Sequence, residues 1–164
     1  MENTSSHTRL VSLVKAALIA ALYIALTLIN PLSYGAVQFR VSEMLNNLVV
    51  FNKRYIWALT LGCAVANINS SLGVVDMVFG TTETLLMTAL SYWVSQHISS
   101  KVGKLVATVI ICAAMSWIIA LELFYVMHLP FWASYISVAA GELGAMAVGA
   151  ILVYLISERI DLTK

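Results

Sequence analysis

Charged residues are scarce in this sequence. Asp, Glu, Lys and Arg together make up 10% of its 164 residues, whereas hydrophobic residues make up 61%. Soluble domains carry about 25% charged residues and about 45–50% apolar ones. The composition therefore excludes an ordinary soluble domain and predicts an integral membrane protein.

Motifs for catalysis are also missing. The sequence has no phosphate-binding glycine loop, so we do not expect this chain to hydrolyse ATP. It has neither a cluster of metal ligands nor a nucleophile beside a base. We predict a protein that is not an enzyme, with no catalytic residue, no metal, no cofactor and no nucleic-acid partner. A membrane-embedded enzyme that uses paired carboxylates is the exception left open.

Cysteine is rare as well, with Cys63 and Cys112 the two examples. Both lie inside apolar runs, without CxxC spacing and without a neighbouring histidine, so the pattern predicts neither a zinc site nor a disulfide. We interpret both as small core residues. The first apolar run is followed by several of similar strength, which differs from a cleaved signal peptide before a soluble chain.

Long apolar runs dominate what is present. Crossing a bilayer takes about 20 residues in a helix. Runs of this kind predict helices at about 10–29, 55–71, 79–97, 104–127 and 132–157. Segment 42–52 is apolar but shorter, and it is either a short helix packed inside the bundle or a re-entrant piece.

The basic residues decide between these two topologies. If segment 42–52 crosses the membrane, Arg40 alone lies on one side, and the other eight share the opposite side: Arg9, Lys15, Lys53, Arg54, Lys101, Lys104, Arg159 and Lys164. If it does not cross, the positive-inside bias disappears. We therefore predict an all-α, polytopic membrane protein, a single domain over residues 1–164. It would have six transmembrane helices, the second one short, and both termini in the cytoplasm.

Five acidic residues then fall in the outer loops or in the helices that adjoin them. An intramembrane carboxylate is costly unless it is paired, protonated or facing water, so such residues are candidates for function. Three of them also have a structural alternative: Glu43 could pair with Arg40, Asp76 could cap the turn that enters a helix, and Glu83 could be a first-turn acid that the helix dipole favours. The five acids are Glu43, Asp76, Glu83, Glu122 and Glu142.

This layer of acids is expected to select a ligand that is cationic or rich in hydrogen-bond donors. Amides and aromatic side chains at the same level could bind a flat heterocycle, although each aromatic alone is also typical of a membrane-interface belt. The amides are Gln38, Asn67 and Asn69, and the aromatics are Tyr34, Phe39, Phe79, Tyr125, Trp132 and Tyr135.

The first helix carries a stripe of small residues, Ala17, Ala21 and Ala25, at steps of four. Such a stripe lets another helix approach closely. The packing could be internal, but a chain this small with no energy source of its own would need a partner protein. We predict that this stripe docks one.

Several motifs resemble the queuosine-precursor transporter family (QueT-type), whose members are substrate-binding S components of energy-coupling factor (ECF) transporters. The motifs are "QFRVSEML" at 38–45, "GVVDMVFGTTETLL" at 73–86 and "AAGELGAM" at 139–146, together with the alanine stripe. The most specific parts are Arg40, Ser42 and Glu43 in the first motif and Gly73, Asp76 and Gly80 in the second. The similarity covers essentially the whole chain.

The resemblance implies an S component in the bacterial cytoplasmic membrane that captures a 7-deazaguanine, above all 7-aminomethyl-7-deazaguanine. Its partners would be a transmembrane coupling protein, facing Ala17, Ala21 and Ala25, and two cytosolic ATPase subunits. Glu142 and Glu122 would accept from the donor-rich ends of the ligand. Asn67, Gln38 or Arg40 would donate to its carbonyl, while an Arg40–Glu43 ion pair would shape the first outer loop as a lid.

Three rival readings remain open at this point. The chain could be an S component for another cationic vitamin such as thiamine. It could be an assembly subunit of a membrane complex, with acids that pair with basic residues of a partner. It could also be a proton-coupled antiporter that works without partners.

Overall fold

The protein is described here by a computed structural model, which covers residues 2–34, 39–70 and 72–163. Within these ranges every regular element is helical, so the predicted all-α class is confirmed. Six α-helices and one 3₁₀ helix follow one another: α1 Glu2–Ile29, the 3₁₀ helix Val41–Val50, α2 Arg54–Asn67, α3 Val74–Ser95, α4 Lys101–Met115, α5 Trp117–Met127 and α6 Phe131–Ser157.

Three helical stretches are long and apolar enough to cross a membrane within the described part of the chain. They are residues Arg9–Ile29 in α1, residues Lys101–Met127 over α4 and α5, and Phe131–Ser157 in α6. Helix α2 is shorter, with 14 residues, and α3 has 22. Length and composition thus support a membrane protein.

The short segment expected at 42–52 forms the 3₁₀ helix, which packs mainly against α6 and α1. Ten residues at a rise of about 2.0 Å span roughly 20 Å, less than the ~30 Å hydrocarbon core. Helix α6 comes very close to its backbone, because a Cβ built on Gly149 would lie 2.5 Å from the Cα of Met44. Only glycine lets the two backbones approach this closely.

Two predicted boundaries are wrong around residue 70. Helix α2 ends at Asn67 rather than at residue 71, and α3 begins at Val74 rather than at residue 79. Gly73, with a φ of 58°, makes the turn directly before α3, a conformation that glycine adopts without strain. Most of the stretch between the predicted helices at 55–71 and 79–97 is therefore helix, which places Asp76 in a helical first turn.

The predicted helix at 104–127 is interrupted at Ser116, which separates α4 from α5. The Ser116 hydroxyl bonds back to the Cys112 carbonyl at 3.4 Å and also to Glu142 at 2.7 Å. Serine hydroxyls that bond to the preceding turn often bend helices. The interruption therefore faces one of the predicted acids.

The helices turn polar residues inward and large apolar residues outward. Trp57 and Trp93 are 70% and 63% exposed, as expected for side chains that face lipid. The buried face of α3 is mostly polar: Asp76, Gly80, Glu83, Thr84, Met87, Thr88, Ser91 and Ser95. A more ordinary apolar core lies between α1, the 3₁₀ helix and α2, around Tyr23 and Leu59.

Candidate functional site

A buried ion pair joins the segment before the 3₁₀ helix to the first turn of α3. The Nη2 of Arg40 lies 3.0 Å from the Oδ1 of Asp76, and the two side chains are 5% and 1% exposed. Arg40 Nε also donates to the Ser33 carbonyl at 3.0 Å, and the Ser70 hydroxyl donates to the other Asp76 oxygen. This network ties three stretches of chain together.

The predicted Arg40–Glu43 ion pair is therefore wrong. Arg40 has an extended backbone before the 3₁₀ helix, with φ −94° and ψ 102°, and its guanidinium bonds to Asp76 and Ser33. Glu43 instead accepts hydrogen bonds from the Tyr23 hydroxyl at 2.5 Å and from the Asn46 amide. It anchors the 3₁₀ helix to α1. The alternative that Asp76 caps a helix is not observed either, since its carboxylate bonds to side chains.

Gly80 lies directly beneath the buried ion pair. A Cβ at this position would lie 2.5 Å from Asn67 Nδ2 and 3.2 Å from Arg40 Nη1. Asn67 Nδ2 donates to the Asp76 carbonyl at 3.2 Å, whereas the Asn67 Oδ1 is buried without a hydrogen-bond partner among the described residues. The predicted site residues Arg40, Asp76 and Asn67 are thus in one cluster.

Glu142 lies on the buried face of α6, opposite the interruption between α4 and α5. Its Oε2 accepts from the Ser116 hydroxyl at 2.7 Å and from the Cys112 thiol at 3.3 Å. Cys112 is fully buried, as expected, but it serves as a donor to a carboxylate as well as filling space. Sequence reasoning missed both donors. The sequence did contain a clue, because Cys112 and Ser116 are four residues apart, about one helical turn, within an apolar run.

Glu83 is close to this part of the bundle. It is 4% exposed and lies within electrostatic range of Glu142 and Glu43. Its Oε1 has no hydrogen-bond partner among the described residues. Carboxylates from α3, α6 and the 3₁₀ helix therefore lie near enough to influence one another electrostatically.

Glu122 is the most unusual of the acids. It is completely buried on α5, and neither carboxylate oxygen has a hydrogen-bond partner among the residues that the structure describes. The charged groups that interact electrostatically with Glu122 are Asp76 and Arg40. A buried carboxylate without partners is strongly unfavourable, so Glu122 is the acid with the greatest unmet demand for hydrogen-bond donors among the described residues.

Other predicted residues lie away from the buried cluster. Asn69, Tyr125 and Trp132 are exposed, the last two at 67% and 71%. Tyr34 is partly buried and donates to the Ala66 carbonyl at 2.7 Å. Burial raises the pKa of its hydroxyl above the ordinary value, which keeps the donor protonated. Gln38 lies outside the described residues.

The alanine stripe of α1 is on the surface. Ala17, Ala21 and Ala25 are all exposed. Their neighbour Ala20 is buried, and its carbonyl lies 3.1 Å from the position that a Cβ on Gly62 would take. Helix α1 thus packs on α2 through one face and presents the predicted stripe on another.

Among the described residues, no group of three or more His, Cys, Asp or Glu side chains is arranged to hold a metal ion. The acids are spread along different helices and are separated by amide, hydroxyl and thiol groups.

Comparison with known protein families identifies the family of this chain. The family described as QueT transporter matches residues 13–158. The chain belongs to the QueT transporter family. This family matches the resemblance found in the motifs, and membership of a transporter family agrees with the prediction that the chain is not an enzyme.

One curated relative covers almost the whole chain. It is the queuosine precursor transporter QueT of Lactococcus lactis subsp. cremoris (strain MG1363), 35% identical over 162 residues, with 93% of this chain and 95% of the relative aligned. No solved structure matches. The family and the three long apolar helices together make the chain a membrane protein.

Proposed function

We propose that this chain is the substrate-binding S component of an ECF-type transporter and that it takes up a queuosine precursor. The preferred substrate is 7-aminomethyl-7-deazaguanine or a related 7-deazaguanine. Support comes from the family, from the name of the Lactococcus relative and from the buried carboxylates. Separate ATPase subunits supply the energy.

The observation that carries this proposal is the state of Glu122, which is wholly buried and has no hydrogen-bond partner for either carboxylate oxygen among the described residues. A guanine-like edge offers a ring N–H beside an exocyclic amine, two parallel donors that one carboxylate can accept as a bidentate pair. Glu122 is better suited to this role than Glu142, since one oxygen of Glu142 already accepts from Ser116 and Cys112.

The aminomethyl group of the ligand is an ammonium at neutral pH and needs a second acid. Glu142 and Glu83 are within electrostatic range of each other, and Glu83 Oε1 is unpartnered among the described residues. We assign this pair to the ammonium. The ligand carbonyl needs a donor, and Arg40 is the best placed, because its Nε and Nη2 hold Ser33 and Asp76 while Nη1 faces Gly80.

The remaining acids serve the frame of the site. Asp76 holds the first outer loop to the start of α3 through Arg40, and Glu43 holds the 3₁₀ helix to α1 through Tyr23. In this proposal the chain crosses the membrane six times, with the 3₁₀ helix as the short second crossing. Both termini are cytoplasmic, since that topology gathers eight of nine basic residues on one side.

The partners in this proposal are a membrane-embedded coupling protein and two cytosolic ATPases. The exposed stripe of Ala17, Ala21 and Ala25 is the surface that meets the coupling protein. Small residues allow two helices to approach closely in lipid, where hydrophobic burial gives no driving force. A chain with no nucleotide-binding loop depends on such a contact for energy.

The decisive experiment is calorimetric titration of the purified full chain with 7-aminomethyl-7-deazaguanine, with the nitrile precursor, guanine and thiamine as competitors. We expect one-to-one binding that guanine cannot match, because guanine lacks the ammonium. Tight binding of thiamine instead would favour the vitamin alternative. Binding of no small molecule would favour the assembly subunit, and uptake by the isolated chain in a pH gradient would favour the antiporter.

A pair of variants tests the site itself. Glu122→Ala removes the bidentate acceptor, and we expect the Kd to rise more than about 100-fold, since a hydrogen bond to a charged group contributes ~1.5–3 kcal/mol. Glu142→Ala should also abolish tight binding. Glu158→Ala, which removes an exposed acid at the other end of the bundle, is the matched control. Equal affinity of Glu122→Ala and the unaltered protein would refute the assignment.

The docking surface is tested separately. Ala21→Leu adds bulk to the exposed stripe, so the variant should bind the ligand normally yet co-purify less with the coupling protein and ATPases. Ala89→Leu changes an alanine that is also exposed, on α3, and serves as the control. If both variants assemble equally well, the stripe is ordinary lipid-facing surface.

A further inference from the structure

An apolar groove runs between α4 and α6, and its residues on α6 follow Glu142 along the helix. It encloses about 400 Å³. Its walls include Val102, Val106 and Ile110 on α4 and Ala147, Ile151 and Tyr154 on α6. From Val102 to Ile110 the helix rises about 12 Å. The groove therefore has the length and surface chemistry to hold part of a hydrocarbon chain.

A second cavity, of about 240 Å³, opens beside the first turn of the same helix. Lys101 and Lys104 both line it, together with Gln96 and Ser99. Leu105, on the same turn of α4, lines the apolar groove. A basic cavity thus adjoins the end of an apolar groove.

The two lysines differ in how far they are neutralised. Lys101 Nζ lies 2.9 Å from Glu158 Oε1 and 3.5 Å from the Ser157 carbonyl. Lys104 forms no ion pair with any residue in the described part of the chain and is half-buried. We therefore expect Lys104 to attract an anion more strongly than Lys101, whose positive charge is partly neutralised by Glu158.

We propose that this surface binds one anionic phospholipid, with an acyl chain in the α4–α6 groove and the phosphate of the headgroup between Lys104 and Lys101. Charge complementarity selects this occupant, because a zwitterionic lipid carries an ammonium that offsets the attraction between the lysines and its phosphate. Basic pockets between transmembrane helices are suited to anionic headgroups. The inference is independent of the proposed substrate and of the acid layer.

The test is native mass spectrometry of the purified full chain, mixed with equal amounts of phosphatidylglycerol and phosphatidylcholine of identical acyl chains. We expect one phosphatidylglycerol to be retained in clear preference. Lys104→Gln should lower that preference about fivefold, since a basic residue near anionic lipid contributes ~1 kcal/mol. Lys53→Gln, at an exposed lysine outside both cavities, should leave it unchanged.

The groove has its own matched variants. Val106→Trp fills it from a position that is 50% exposed, so both lipids should be lost. Val148→Trp makes the same change at a position on α6 that is 52% exposed and is not among the groove residues, so lipid retention should persist. A melting temperature close to that of the unaltered chain would show that both variants are folded.

Three results would overturn the proposal. Equal retention of the two lipids by the unaltered chain would show that the lysines do not select charge. Equal loss in Val106→Trp and Val148→Trp would show that the groove is not the site. Displacement of the lipid by soluble glycerol 3-phosphate would show that the basic cavity binds a free phosphate ester and that the groove adds nothing.

Discussion

Two ion pairs at opposite ends of the bundle have nearly the same length and very different surroundings. Arg40 and Asp76 are 3.0 Å apart with side chains 5% and 1% exposed, whereas Lys101 and Glu158 are 2.9 Å apart with side chains each 50% exposed. The first pair lies among the proposed ligand-binding residues. The second lies beside the groove assigned to a lipid.

The two pairs differ in solvent exposure and hardly at all in N–O distance. Removing one partner of a buried pair leaves an uncompensated charge where water cannot reach it. An exposed pair is screened by solvent and contributes little. The buried pair also has further partners, because Arg40 holds the Ser33 carbonyl and Asp76 accepts from Ser70. We therefore expect the stability of the fold to depend on one pair and hardly at all on the other.

The largest effect is expected when the buried pair is broken. Arg40→Ala leaves Asp76 buried without its cation, and the free energy of unfolding should fall by about 3–5 kcal/mol. Unfolding of the detergent-purified chain by heat or denaturant measures this loss. A double variant, Arg40→Met with Asp76→Leu, removes both charges and should recover much of it. A single variant as stable as the unaltered chain would contradict the view of this pair as structural.

The next effect concerns the backbone beneath the buried pair. A Cβ in Gly80→Ala would lie 2.5 Å from Asn67 Nδ2 and disturb both the pair and its support. Overpacking of this kind costs about 1–3 kcal/mol. In Gly144→Ala the Cβ would meet Phe39 at 3.8 Å, an ordinary contact, so this control should not be destabilised. Comparable melting temperatures for the two variants would refute the close approach at Gly80.

A smaller effect is expected from one hydrogen bond near the buried pair. Tyr34→Phe removes the donor to the Ala66 carbonyl, at 2.7 Å, and should lower stability by about 0.5–1.5 kcal/mol. The matched control is Tyr135→Phe, whose hydroxyl donates to the Ala114 carbonyl at 3.4 Å and is more solvent-accessible. A greater loss in the Tyr135 variant would reverse the expected order.

The smallest effect is expected at the exposed pair. Lys101→Ala should lower the free energy of unfolding by less than about 1 kcal/mol, because its partner Glu158 remains hydrated. The loss should shrink further at high salt, which screens exposed charges. A loss as large as that of Arg40→Ala would show that burial does not distinguish the two ends.

Much of the fold could be read from periodicity and composition alone. The apolar runs located the helices, and the five acids were singled out as a group before any geometry was known. Boundaries were less accurate. The start of α3 was missed because Gly73 turns the chain earlier than hydropathy indicates, and the interruption at Ser116 was missed because a single serine hardly changes the mean hydropathy.

The candidate site shows a similar division. Burial of Glu122 and Glu142 followed from their position in apolar helices, yet their partners did not. Arg40 and Glu43 are three residues apart in sequence, and the pairing that this suggested is wrong because both side chains find partners on other helices. The observed partner, Asp76, is 36 residues away.

The sequence by itself determined the class of protein, the helical segments and the family, because these depend on composition, period and local motifs. Tertiary structure decided which acid pairs with Arg40, which carboxylate finds no donor among the described residues, and where a groove opens beside two lysines. The reason is physical: hydrophobicity is a property of each residue along the chain, whereas a hydrogen bond or an ion pair depends on how separate helices are oriented and packed.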